Sequence, residues 1–274
     1  MADGVLDSIV ELYADASAVF MERGVVVALT LYAVLAAIHV SWDVVQWALF
    51  DRKNAAGLAV RKFFLLSFFY TLILALPLWL PRMLDSFEQL GKVVTGLDGL
   101  SPSSVFTQGV ALAFSLFGSW KSILATLTVP AAGALQLVTF FAVLIAFTVI
   151  AFQLARVLIE GSLVLGGLVV FLAGAAHRMT FGLFEGYVRY LVDVGIRVFV
   201  VYLLVGVGHN LGAEWDRMVT EASLLEIADP RFLLAIAASA LFYAMLVWQL
   251  PKKIASVLTG SFNFAGHNPH TDPA

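Results

Sequence analysis

Apolar residues run along this chain in long blocks broken by short polar clusters. Residues 24–42 contain no Asp, Glu, Lys or Arg, and beyond Asp43 the apolar run resumes to residue 50. Residues 63–81, 122–155 and 232–250 are free of those four types as well. A helix needs about 20 apolar residues to cross a hydrocarbon core of about 30 Å at 1.5 Å per residue. Each block therefore predicts a spanning helix. Two further stretches, 161–176 and 198–213, hold 16 uncharged residues each and fall short of a usual span.

Amphipathic patterns flank these blocks. Val5, Ile9, Leu12, Ala16 and Val19 recur at helical spacing, while Asp3, Asp7, Glu11 and Asp15 step four at a time along another face. That predicts a helix over 1–23, either a solvated face beside the bilayer or a partner-binding helix. Ser101 followed by Pro102 makes an N-cap and first helical position. Phe106, Val110, Ala113, Phe117 and Trp120 then form a stripe that suits packing, or a contact with partners outside the membrane.

Composition agrees with the pattern. Of 274 residues, 61% are hydrophobic and only 13% charged, with a mean hydropathy of +0.94. So few charges cannot clothe a soluble domain, which leaves an all-α, polytopic membrane protein. The net charge of −3 excludes a broadly basic nucleic-acid surface, and the absence of cysteine excludes disulfides and thiol chemistry.

Orientation follows from the basic residues. Residues 51–62 carry Arg52, Lys53, Arg61 and Lys62, so this loop is expected in the cytoplasm and the N-terminus outside. Lys252 and Lys253 place the C-terminus in the cytoplasm as well. Both conditions hold with five spans, near 24–50, 63–81, 122–155, 198–213 and 232–250. Residues 82–121 then form an outer loop, 161–197 a re-entrant or interfacial segment, and 251–274 a cytoplasmic, disordered tail, so that 24–250 is the membrane domain. Acidic residues at the N-terminus argue against a cleaved signal peptide.

Candidate chemistry is sparse. GxxxxGK[ST] and HExxH are absent, and His39, His177, His209, His267 and His270 are dispersed, so no catalytic, cofactor or metal site is expected. Charges near hydrocarbon are costly unless paired. His39 and Asp43 share one helix face, a spacing used both by proton relays and by hydrogen-bonded helix contacts, with Gln46 nearby. Arg156 and Glu160 form another i, i+4 pair, and Arg197 is a further intramembrane polar residue. Gly161, Gly166, Gly167, Gly174, Gly182, Gly186, Gly206 and Gly208 cluster within about fifty residues, a density that permits close helix packing and oligomerisation in lipid.

The stretch LVVFLAGAAHRMTFGLFEGYVRYLVDVGIRVFVVYLLVGVG, residues 168–208, resembles the central block of the TrbL family of inner-membrane subunits of conjugative and other type IV secretion systems. The likeness lies in an order: an apolar run, small residues, Arg178 and Thr180, an aromatic helix around Tyr187 and Tyr190, then an apolar segment ending in LLVGVG. Many members carry Trp where this chain has Met179. The resemblance implies a non-enzymatic scaffold or channel component that oligomerises, as a pentamer or hexamer, around the machine's axis. Its implied partners are further copies of itself, other secretion subunits including periplasmic pilus or stalk components, separate cytoplasmic ATPases, the lipid bilayer, and the passing DNA or protein. A proton-coupled transporter or small channel using His39 and Asp43 is the alternative.

Overall fold

The computed structural model describes residues 4–50, 55–97, 99–117, 130–167, 169–177, 179–224 and 230–260. Among these, all regular structure is helical: α1 (Val5–Phe50), α2 (Ala55–Thr95), α3 (Pro102–Phe117), α4 (Pro130–Gly167), a 3₁₀ segment (Val169–Ala176), α5 (Phe181–Leu224) and α6 (Pro230–Gly260). Five helices, all but α3, are long and apolar enough to cross a membrane, so the chain is an all-α, polytopic membrane protein.

The helices run past the sequence-based boundaries. α1 is one helix of 46 residues, with no break between the acidic segment 1–23 and the first apolar block. No proline lies in it, and Gly24 at the junction meets Val169 closely instead of ending the helix. The apolar stripe of its first turns faces outward, with Val5, Leu12 and Val19 all exposed. α2 likewise continues through Pro77 and Pro81 to Thr95, where the sequence reading begins an outer loop at residue 82. It stops at Gly96, whose φ of +68° is a left-handed conformation that glycine adopts without strain. The Gly96 amide donates to the Val93 carbonyl and the Leu97 amide to the Lys92 carbonyl, a Schellman closure.

Residues 161–197, read from the sequence as one re-entrant or interfacial segment, are divided among the end of α4, the 3₁₀ segment and the start of α5. Thr180 sets the last boundary, its hydroxyl donating to the carbonyls of Gly174 and His177 and its carbonyl accepting from the Leu183 amide at 2.9 Å. Residues 198–213 are accordingly the middle of a 44-residue helix.

The chain forms two compact units. The first comprises Met1–Glu11, Phe87–Ile159 and Ile196–Ala255. In it, α3 buries Val105, Leu112, Ala113 and Leu116, with Gly109 against the Phe147 ring. Of the stripe, Ala113 is fully buried while Phe106 is 38% exposed, because the small Gly109 and Ala113 allow the closest approach. The second unit comprises Leu12–Ser86, Glu160–Gly195 and Ser256–Ala274. Its 3₁₀ segment buries six of its eight residues and leaves Phe171 exposed, and the Ser17 hydroxyl donates to the Ser162 carbonyl.

Candidate functional site

Within the second unit, α1, α2 and the end of the 3₁₀ segment enclose an open cleft of about 1520 Å³ with a mostly apolar lining. One helical turn separates His39 from Asp43, and His39 Nε2 lies 3.4 Å from Asp43 Oδ2. From α2, the Lys62 ammonium donates to that same oxygen and also lies 5.9 Å from the centre of the Trp47 ring. Past the 3₁₀ segment, the His177 ring meets the His39 ring edge-on at 5.4 Å between centroids. Asp43 is buried, so its charge is compensated mainly by a cation from the neighbouring helix.

Lys62 and His177 are the members of this cluster that spacing along the chain does not reveal. Lys62 reads from the sequence as one of four loop charges, yet residues 55–95 are helical and present it to α1. The available signal is the lone carboxylate in a spanning segment, which demands a partner from another helix.

The other predicted positions separate into distinct environments. Glu160 accepts a 2.6 Å hydrogen bond from the Tyr190 hydroxyl, while the Arg156 guanidinium lies 5.8 Å over Trp248. Arg197 is buried in the first unit. Asp7 has a defined role there: its carboxylate accepts from the Ser101 hydroxyl at 2.9 Å and the Ser103 amide at 3.0 Å, capping α3 from another helix. Glu11 and Asp15 are exposed. Asp3, Trp120, Arg52, Lys53, Arg178, His267 and His270 lie outside the described residues, as does the Phe117 side chain.

The glycines divide by what surrounds them. A Cβ on Gly161 would meet Leu84, one on Gly166 would fall 2.6 Å from the Ser17 carbonyl oxygen, and one on Gly174 would fall 2.5 Å from that of Thr180. In the first unit, Gly206 abuts Thr95 and Gly208 abuts the Tyr243 ring, whose hydroxyl donates to the Leu204 carbonyl. Among the described residues, nothing lies within 4 Å of a Cβ placed on Gly167, Gly182 or Gly186. A polar chain contact of another kind lies in the same unit, where the Tyr202 hydroxyl donates to Glu88 at 3.0 Å and Glu88 pairs with Lys92 at 2.6 Å.

Five apolar helices, two of them joined by a buried charge pair, define a multi-pass helical membrane protein. Residues 36–250, most of the chain, match the family described as TrbL/VirB6 plasmid conjugal transfer protein, and the chain belongs to that family. It is a component of conjugal transfer, or type IV secretion, machinery. No curated protein matches the chain.

Proposed function

We propose that this chain is a non-enzymatic, oligomeric scaffold or channel subunit of the secretion machine in the bacterial inner membrane. Its N-terminus is periplasmic and its C-terminus cytoplasmic. Copies of the chain, in a ring of five or six, support passage of DNA with attached protein, or of an effector protein, and assembly of a pilus or stalk. Periplasmic subunits meet the acidic start of α1 and the region of α3.

The family match carries this reading. Support for self-association comes from Gly182 and Gly186, which make a GxxxG step on α5 with nothing among the described residues within 4 Å of either Cβ position. The test is crosslinking and mass determination of complexes extracted from native membranes: discrete multimers with other secretion subunits are expected, and an isolated monomer overturns the proposal.

A second reading, proton-coupled transport, draws on the His39–Asp43–Lys62 cluster in the open cleft. It requires solute-specific, proton-driven flux by the purified protein in proteoliposomes, lost in Asp43→Asn. A scaffold shows no such flux.

A further inference from the structure

The cleft combines two kinds of surface. Four groups able to carry positive charge, Arg61, Lys62, His39 and His177, face it with one carboxylate, Asp43. Trp42 and Trp47 stand at the same level, and rings of this type favour the headgroup region of a bilayer. Away from these groups the walls are apolar, through Leu65, Leu66 and Phe69.

Leu66 also borders a second, smaller hollow of about 350 Å³ between α1 and α2, lined by Ala33, Ala36, Phe63 and Tyr70 among others. The two hollows therefore follow one helix pair. From Lys62 to Tyr70 along α2 is about 12 Å, and from Asp43 to Tyr32 along α1 about 16 Å, at 1.5 Å per residue. Half of a hydrocarbon core of about 30 Å is about 15 Å. Taken together, the two hollows extend over about one leaflet, the first with cationic and aromatic groups, the second lined by Ala33, Ala36 and Phe63 beside the hydroxyl-bearing Tyr32, Ser67, Tyr70 and Thr71.

We infer that the two hollows join at Leu66 into one furrow that binds a single anionic phospholipid, its phosphate held by Arg61 and the Lys62–His39–His177 group and one acyl chain lying along Ala36 and Ala33. Charge complementarity selects the headgroup, since basic pockets between spanning helices favour anionic lipid heads. The length match selects a lipid over a free anion. Asp43 positions the cationic group: by holding Lys62 and lying against His39, it keeps the donors directed toward one region.

The full chain, purified in neutral detergent, is titrated with phosphatidylglycerol, phosphatidylcholine or inorganic phosphate and read by native mass spectrometry. One phosphatidylglycerol per chain is expected to bind saturably. Its affinity should fall about fivefold in Arg61→Gln, the effect of removing one basic residue near an anionic headgroup. Ala36→Trp should lower it at unchanged charge, with Ala33→Leu as a second filling variant and thermal melting as the check on folding. Lys252→Gln with Lys253→Gln should leave it unchanged. Equal binding of phosphatidylcholine overturns the inference, as does a loss in the Lys252/Lys253 variant equal to that in Arg61→Gln. Displacement by inorganic phosphate with no effect of either filling variant makes the site one for a free anion and also overturns it.

Discussion

The Lys62 ammonium of α2 rests on Oδ2 of Asp43, the buried carboxylate of α1. Removing one partner of such a pair leaves the other without compensation, whereas removing both charges restores balance. Asp43→Asn alone and Lys62→Gln alone should each lower stability by roughly 1 to 3 kcal/mol, less than for a wholly buried pair because the Lys62 side chain is 36% exposed. The double variant should recover part of the loss. Thermal or denaturant unfolding in detergent measures this cycle, and strictly additive losses would show that the two charges are not coupled.

Gly166 and Gly186 should respond oppositely to alanine. A Cβ at Gly166 meets the Ser17 backbone, so Gly166→Ala should destabilise by about 1 to 3 kcal/mol through overpacking. Gly186→Ala meets nothing among the described residues and gains helix propensity, about 1 kcal/mol. Its melting temperature should hold or rise. If the open GxxxG face joins copies, Gly182→Leu with Gly186→Leu should nonetheless weaken crosslinked multimers, while unchanged multimers would assign that face to lipid.

Asp7 caps α3 across a gap of 94 residues in sequence to Ser101. Asp7→Ala should cost about 1 kcal/mol, the usual worth of a cap. The effect should be local: amide exchange over residues 103–107 should quicken several-fold while that of α5 stays as it was. Uniform acceleration would mean that Asp7 supports the whole unit.

The proposed orientation has its own readout. A periplasm-active reporter fused after Ala222 should be active, and one fused after Gly186 silent. The reverse pattern would show that 161–176 crosses the membrane and would invert the last two spans.

Four of the five spanning helices were legible from apolar runs, because the cost of placing a charge in hydrocarbon is local and each window reports it independently, and the fifth only once the basic clusters were counted. Helix ends were less so. The apolar run ends before Arg82, yet α2 proceeds through Pro77 and Pro81 to Gly96, since a helix with neighbours tolerates proline and the left-handed closure at glycine ends it. The apolar stripe through Phe106 and Ala113 only partly overlaps the packed face of α3, which holds Ala113 but is centred on Gly109, Leu112 and Leu116. Periodicity finds a face but not the neighbour that selects it.

Lipid crossing is therefore written in the one-dimensional chain, and so is the i, i+4 relation of His39 and Asp43, because a helix turns every 3.6 residues whatever surrounds it. That Lys62 rather than Gln46 meets Asp43, and that Gly166 is filled while Gly186 is open, belong to the packed molecule. Those outcomes depend on which helices become neighbours and in what register, a relation between distant segments that no local window contains.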